Sequence, residues 1–539
     1  MVAEASLTRL GEWIESRRVA DGTPGLSLAI VDRTGVVHEQ GFGYANLDAM
    51  IPVAPAHLFE TGSIGKSFTA IALLQLQEEG QIDLQAPVTD YLPWFSVQTE
   101  FEPIRLHHLL THTAGITSGL DFAPDARIQV WGLRDTWTTT PPGTYFHYSN
   151  IGYKALGVVL ERVAGTPYRE TIQRRILDRL QLTGSYPTIT NAIRPKMAVA
   201  YAPAFDDRPW WPGGSLVPAT WFETDTADGC LAMTAADLAR YLAVLLKQGA
   251  GLLSPESFAL LAGKGFEFPA EPEPNWYGYG IMASDVDGHC YIGHSGGMVG
   301  YFSRMIGDLE TGVGVVALVN GPGSPSVIAR TALDLLRAEA DGRNFLFPVN
   351  RDPTGPENAA EFAGIYRAPA GSKSIAFTAS GRQLSLDADG ISTPLHVLGG
   401  DSFGSDAPGR DRFPFAFERQ DGIVTSVAYG GDWYVNGAHA GEPPPPLPAA
   451  WLPFPGRYRS HNPWLTSFDV VSRRGRLWLI TPTESDGFDG AEPLVPARDG
   501  WFQLGEDERE PEFMRFDCVV DGVALEATLS TGPYYRAEG

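Results

Sequence analysis

Hydrophobic and polar positions follow two rhythms along this chain, and the rhythm changes once. Near the start, Leu7, Leu10 and Ile14 share one face of an amphipathic helix. Two β-rich runs, 25–31 and 36–41, flank Asp32-Arg33-Thr34-Gly35, a pattern that predicts a hairpin. Ser63 to Glu79 is helix-forming sequence with Gly80 in the stop position, and Ile151 to Val163 is a second such stretch, stopped by Gly165. Thr234 to Lys247 predicts a third helix, with Thr234 as N-cap and Asp237 at the third helical position. Tyr301 to Ile306 and Val313 to Val319 alternate as strands around a polar turn, and Val327 to Ala338 reads as a closing helix. Strands at both ends with helices between them predict an α+β domain: one antiparallel sheet, helices on its faces and an inserted helical region.

Beyond about residue 345 the helical rhythm stops. Asp352 to Ala359 is a polar Pro/Gly linker, and Glu442 to Ala450, with prolines at 443 to 446, is a stiff one. The segments after the two linkers resemble each other. Phe362-Ala363-Gly364-Ile365-Tyr366-Arg367 matches Phe454-Pro455-Gly456-Arg457-Tyr458-Arg459, and Gln383-Leu384-Ser385-Leu386 matches Arg476-Leu477-Trp478-Leu479. Phe403 answers Phe502, and Asp421-Gly422 answers Asp521-Gly522. This is a duplication of roughly 90 to 100 residues, each copy rich in short alternating strands and long enough for its own small barrel. Three domains are expected, over 1–348, 360–441 and 451–539.

Composition narrows the partners. The 539 residues carry 40 Lys plus Arg against 64 Asp plus Glu, a net charge of −24. Such a surface repels phosphate backbones and anionic lipids, so neither nucleic acid nor membrane is an expected partner. Cys230, Cys290 and Cys518 are odd in number and far apart, which excludes a disulfide framework and a CxxC metal site. No run approaches the ~20 apolar residues of a membrane span. No basic start precedes an apolar run, so the expected location is cytoplasmic, or periplasmic if a leader has been removed.

The sharpest chemical signal is Gly62-Ser63-Ile64-Gly65-Lys66 at a helix start. Spacing of three puts the Ser63 hydroxyl and the Lys66 amine on one face, and a serine needs a neighbour to take its proton before it can attack. Backbone N–H groups of a first turn lack intrahelical partners and can receive an oxyanion. A surface Ser and Lys on an amphipathic helix would give the same letters, although no other Ser-x-x-Lys occurs in this chain. Tyr148-Ser149-Asn150 precedes the second helix. Tyr148 could shuttle the serine proton and protonate a leaving group, and Asn150 could hold the Lys66 amine or a substrate amide. The same triplet is also an ordinary helix-capping turn.

Gly293-His294-Ser295-Gly296-Gly297 leads into a β-rich run, where glycines let a strand approach a ligand. His294 would face the site, and the Gly297 N–H could be a second oxyanion donor. Gly293-x-Ser295-x-Gly297 also fits the nucleophile elbow of α/β-hydrolases, with Ser295 attacking. An elbow needs a helix directly afterwards and a histidine downstream. The residues after Gly297 are strand-like, and His396, His439 and His461 lie in the β-rich repeats. His107-His108-Leu109-Leu110-Thr111-His112 offers histidines at i and i+4, but no carboxylate or cysteine sits at zinc-like spacing, so a packing role is expected. Trp210-Trp211 reads as core or pocket wall.

Taken together and in this order, these elements resemble the serine β-lactamase and penicillin-binding-protein superfamily, in its class C-like branch. Leu109-Leu110-Thr111-His112-Thr113-Ala114-Gly115, Pro142-Gly143 and Thr234-Ala235-Ala236-Asp237-Leu238-Ala239 add to the match, which covers about residues 5 to 340. The resemblance implies a helical region beside a helix-flanked antiparallel sheet, with the site between them. It implies Ser63 as the acylated nucleophile, Lys66 and Tyr148 sharing acid/base duty, Asn150 orienting, and Ser63 and Gly297 N–H groups as the oxyanion hole. Which of Lys66 and Tyr148 is the base stays open. His294 stands where the β-lactamase pattern has lysine, which weakens the case for binding a β-lactam carboxylate.

Histidine variants of that triplet look more like D-aminopeptidases, amidases and esterases of the branch. A catalytic domain followed by two lipocalin-like antiparallel β-barrels is also similar to the D-aminopeptidase layout. In that family a loop from the last barrel supplies acidic recognition of the substrate amine. Here Thr483-Glu484-Ser485-Asp486-Gly487-Phe488-Asp489-Gly490 matches by position, with Asp486 or Asp489 as the acid, and Ser295 and Gly296 would line the substrate strand.

The expected function is an acyl-enzyme serine hydrolase acting on amide bonds of small, linear or D-residue-containing peptides. A ring-opened cyclic natural product such as linearised microcystin would suit it as substrate. A carboxylesterase or β-lactamase on the same machinery is the alternative within catalysis, and a peptide-binding sensor is the alternative outside it. The mechanism calls for no metal or organic cofactor.

Overall fold

The computed structural model describes residues 3–119, 123–268, 275–350, 355–356, 358–369, 373–388, 390–437, 444–481, 490–530 and 532–537. The chain forms two compact units: Met1–Ala202 with Pro218–Val349 and Arg509–Pro511, and Pro203–Val217 with Asn350–Glu508 and Glu512–Gly539.

The first unit is built on nine strands: β1 (Gly25–Asp32), β2 (Gly35–Asn46), β3 (Ile51–Pro52), β4 (Phe266–Phe268), β5 (Asn275–Tyr277), β6 (Met282–Val286), β7 (His289–Met298), β8 (Tyr301–Asp308) and β9 (Val313–Val319). They lie in the order β3-β2-β1-β9-β8-β7-β6-β5-β4, so the first strands of the chain pair with the last of the unit. The β1–β2 hairpin turns where the sequence placed it. Asp32 Oδ1 accepts from the Thr34 N–H at 2.7 Å and the Gly35 N–H at 3.2 Å.

Both faces of the sheet are covered, and period-two alternation divides the side chains between them. Leu26, Leu28 and Ile30 of β1 join Val315, Ala317 and Val319 of β9 in one cluster. There they meet Leu10, Trp13 and Ile14 of α1 (Glu4–Ala20) and Ile328, Ala332 and Leu335 of the closing helix Pro325–Ala340. The intervening residues Ala29, Val31, Val316 and Leu318 face the other way. They share a larger core with α2 (Gly65–Glu78), α3 (Asn150–Ala164) and α4 (Ala235–Leu246). The predicted caps are present: the Thr234 hydroxyl accepts from the Asp237 N–H, and Gly165 ends α3 in the left-handed conformation.

The second unit contains two closed antiparallel barrels of eight strands, running from Gly364–Arg367 to Asp432–Asn436 and from Gly456–Arg459 to Gly532–Arg536. The duplication extends to single hydrogen bonds. Tyr366 and Tyr458 are fully buried in the first strand of each barrel, and their hydroxyls donate to the carbonyls of Phe362 (3.0 Å) and Phe454 (2.7 Å). Asp421-Gly422 and Asp521-Gly522 turn with the same positive φ angles, 51° and 80° against 51° and 79°. Phe403 and Phe502 are both core residues, and Trp211 stacks on His396.

Candidate active site

Ser63 sits in a single 3-10 turn, Gly62–Ile64, between the short strand Phe59–Glu60 and α2. The turn is pressed against β7. Gly62 has φ +53°, and a Cβ there would lie 2.6 Å from the Gly297 nitrogen. At Gly296 a Cβ would fall 2.0 Å from the Thr61 carbonyl oxygen. Only bare backbone can approach so closely, which is the physical reason for glycine at 62 and 296. The Ser303 hydroxyl of β8 donates to the Thr61 carbonyl at 2.7 Å and ties turn and sheet together.

One turn further on, Lys66 is completely buried. Its Nζ donates to Ser63 Oγ at 2.9 Å, to Asn150 Oδ1 at 2.7 Å and to the Asp228 carbonyl at 2.7 Å. It also lies 4.8 Å from the Tyr148 ring centre. Burial pulls its pKa down to about 7, Asp228 and Cys230 oppose that pull, and Lys154 adds to it. An amine that is half free base near neutrality can accept a proton from a hydroxyl 2.9 Å away.

Tyr148 and Asn150 enter from the N-terminus of α3. The Ser149 hydroxyl caps that helix, accepting from the Gly152 N–H, and donates to the Thr117 carbonyl. The Asn150 N–H donates to the Ser118 carbonyl at 2.7 Å. Burial drives the Tyr148 pKa up, while the Ser63 hydroxyl pulls it down. Its oxygen is buried and hydrogen-bonds nothing at regular geometry among the described residues.

His112 supports this segment from below. Its Nδ1 accepts from the Ser149 N–H at 2.9 Å, and its ring packs 4.2 Å from that of Tyr148. The packing role expected for the histidine run therefore falls directly beneath the site, which histidine spacing alone does not reveal.

His294 is buried on β7, its ring 6.2 Å from that of Tyr148. Its Nδ1 faces the Ser295 carbonyl oxygen, which can only accept, so Nδ1 carries the hydrogen. Nε2 then accepts from the Tyr277 hydroxyl at 2.9 Å. Burial pushes the His294 pKa down to about 3, with Lys66 and Arg304 adding to that effect and the Ser295 carbonyl opposing it. The ring is neutral and both nitrogens are engaged. Tyr277 had no signature in the sequence that distinguished it from a core aromatic.

Ser295 lies mid-strand in β7, which runs into β8, so the helix that an elbow requires is absent at this position. Asp486 and Asp489 fall outside the described residues. A different C-terminal acid belongs to the first unit: Glu510 accepts from the Tyr145 hydroxyl at 2.6 Å and pairs with His147 Nδ1 at 2.8 Å. Nothing in the sequence pattern singled it out. Elsewhere, His289, Asp308 and Glu310 bring three potential metal ligands within 4.8 Å. Asp308 already accepts from His289 and from the Glu310 and Thr311 N–H groups of its own turn, and Glu310 from the Cys290 N–H.

The model of the family described as Beta-lactamase matches residues 11–339. The chain belongs to this family. It is a serine hydrolase related to the penicillin-binding proteins. Penicillin-binding protein 4 of Amycolatopsis lactamdurans is 28% identical over 389 residues, covering 67% of this chain and 97% of that relative. The solved structure of the octameric penicillin-binding protein homologue from Pyrococcus abyssi is 28% identical, with a TM-score of 0.58 over 80% of this chain and 100% of that one. The D-amino acid amidase from Ochrobactrum anthropi SV3, complexed with L-phenylalanine amide, shares the fold at 23% identity and TM-score 0.50, covering 62% of this chain and 100% of its own.

Proposed function

We propose that this family member hydrolyses amide bonds of small peptides through an acyl-enzyme on Ser63, with Lys66 as general base. The observation that carries the reading is the 2.9 Å contact between Ser63 Oγ and a buried amine whose pKa lies at about 7. As Ser63 Oγ attacks the scissile carbonyl carbon, its proton passes to Lys66 Nζ. The carbonyl oxygen becomes an oxyanion beside the Ser63 and Gly297 N–H groups. The C–N bond then breaks, and the departing amine takes a proton relayed from Lys66 through the Tyr148 hydroxyl, which burial keeps protonated. Water then gives a proton to the same amine and attacks the ester carbonyl; the C–Oγ bond breaks, Ser63 Oγ takes that proton back from Lys66, and the acid leaves.

Two features favour amides that bring no carboxylate to the site over β-lactams. Neutral His294, with both nitrogens occupied, offers no fixed cation to a substrate carboxylate. Glu510, held by the Tyr145 hydroxyl and His147 beside the segment that leads into Tyr148, adds negative charge there, which favours a peptide's terminal ammonium over a carboxylate. Linear peptides with a free amine, including D-residue and ring-opened peptides, fit that charge arrangement. Esters are the second substrate class, since the same machinery cleaves them more readily.

Mass spectrometry after a fluorophosphonate or activated ester tests the nucleophile. A single adduct on Ser63, absent in Ser63→Ala, is expected. An adduct on Ser295, or none on an intact protein that binds peptide tightly, overturns the assignment.

A further inference from the structure

Behind Lys66 lies a second buried amine that the hydrolysis scheme does not use. Lys154 is on α3, four residues after Asn150, so the two project from the same helix face one turn apart. Asn150 reaches Lys66, and Lys154 reaches the group that holds Lys66 from the other side. Its Nζ donates to Gln129 Oε1 at 2.8 Å and lies 3.9 Å from Asp228 Oδ2. Lys154 and Asp228 side chains are 6% and 16% exposed, so solvent screens this pair little.

Asp228 is the hinge of the arrangement. Its main-chain carbonyl accepts from Lys66 Nζ at 2.7 Å, while its carboxylate turns toward Lys154. One carboxylate oxygen, Oδ1, is buried and accepts no hydrogen bond among the described residues. The segment that carries Asp228 is pinned along α2. The Thr69 hydroxyl donates to the Ala227 carbonyl at 2.7 Å, the Thr61 N–H donates to the Leu231 carbonyl at 2.9 Å, and a Cβ on Gly229 would lie 2.7 Å from the Gly62 carbonyl carbon. Contacts thus hold the chain on both sides of Asp228.

We propose that Lys154 and Asp228 are a pair of positioning residues that set the protonation of Lys66 with opposite sign, while the Asp228 carbonyl fixes its place. This rests on the reading of Lys66 as general base. An ammonium nearby makes a second ammonium less favourable, and a carboxylate makes it more so. Burial supplies the main depression of the Lys66 pKa. Asp228 and Lys154 come next in weight and pull in opposite directions. The other groups facing Lys66 are the Ser63 hydroxyl, Asn150, the Tyr148 and Tyr153 rings, the Cys230 thiol, and His112 and His294, both held neutral by burial. Among the described residues, Lys154 and Asp228 are thus the two charged groups of the set.

The test is the pH profile of Ser63 labelling by a fluorophosphonate, followed in the full-length chain, with kcat/KM on an amide substrate in parallel. Lys154→Met removes the repulsion, so the acidic limb moves up by about one pH unit. Asp228→Asn keeps the carbonyl and removes the negative charge, so the limb moves down by a similar amount. Lys154→Arg keeps the charge, and a cavity of about 270 Å³ lined by Lys154, Val158 and Tyr168 gives the longer side chain room. It is expected to restore the wild-type limb.

A structural role alone would lower labelling in all three variants without moving the limb in opposite senses. Limbs that stay at the wild-type position in folded Lys154→Met and Asp228→Asn proteins overturn the proposal and leave the Ser63 mechanism standing. Loss of labelling in the wild type itself overturns the mechanism instead. If Lys154→Met does not fold, the contrast between Asp228→Asn and Lys154→Arg still decides: only Asp228→Asn should move.

Discussion

The pH dependence of acylation separates the two candidate bases. If the Lys66 amine is the base, the rate follows its unprotonated fraction. With a pKa of about 7, roughly half of the amine is free at pH 7 and about a tenth at pH 6. The kcat/KM for a neutral amide should therefore fall about tenfold from a plateau above pH 8 to pH 6, with unit slope below. If Tyr148 were the base, burial works against it, because its pKa is pushed up and the phenolate is scarce at neutral pH. The rate would then keep climbing tenfold per unit through pH 9 with no plateau. The assay is steady-state hydrolysis of an amino acid anilide between pH 5.5 and 9.5, in buffers of constant ionic strength. Lys66→Met should lose about 10²- to 10⁴-fold in kcat/KM and lose the acidic limb with it. A wild-type profile that rises without inflection through pH 9, or a Lys66→Met protein that keeps the limb near 7, refutes Lys66 as base.

Two more outcomes concern carboxyl groups, one buried and one beside the site. Glu60, 7% exposed, has its pKa pushed up to about 8 by burial. Its folded-state value exceeds the unfolded one of about 4.3, so the unfolded chain binds fewer protons between these values and stability falls as pH rises from about 4.5 to 8. The ceiling is about 5 kcal/mol, and relaxation around the ion brings the expected gain from Glu60→Gln at pH 8 to about 2 kcal/mol. Thermal unfolding of both proteins at pH 4 and pH 8 checks this: the Tm values should lie close together at pH 4 and separate at pH 8, and an equal difference at both contradicts it. Glu510→Gln should raise KM about tenfold for a peptide with a free amine and leave its N-acetylated form unchanged, measured on matched anilides. An equal effect on both substrates would assign Glu510 to holding Tyr145 and His147 rather than to reading the amine.

Much of the fold was legible because it rests on local rules. The β1–β2 hairpin, the caps at Thr234 and Ser149 and the stop at Gly165 each depend on a few adjacent residues, and each formed where those residues stood. The barrel duplication was legible for another reason. Tyr366 and Tyr458 must be buried and must satisfy their hydroxyls, and the same carbonyl four residues upstream does this in both copies. Helix starts were less exact: Ser63 was expected inside a helix and lies in a 3-10 turn before it, because contact with Gly296 and Gly297 constrains that turn. Motif residues at the site were visible as letters. The residues packed around them were not, since Tyr277, Lys154, Asp228 and Glu510 are brought in by contacts between distant segments that leave no spacing pattern.

The electrostatics of the site also argue for what it can bind. Burial, the largest influence on Lys66, Tyr148 and His294 alike, moves each toward its neutral form: the amine and the imidazole down, the phenol up. At neutral pH the site thus holds an amine close to half free, a protonated phenol and an uncharged imidazole whose nitrogens are both committed. A site of this kind gains little from an anionic substrate, because no cation is permanently available at His294 to offset the cost of desolvating a carboxylate. A neutral amide or ester carbonyl carries no such cost. Its charge develops only in the transition state, where the backbone N–H groups of Ser63 and Gly297 are already fixed by the glycine contacts between the turn and β7. Replacing His294 with lysine would place a buried ammonium next to Lys66. Like-charge repulsion would then lower the Lys66 pKa further. The same substitution that could recruit a carboxylate would therefore shift the acidic limb of the rate profile below its wild-type position, linking substrate charge and base strength through a single residue.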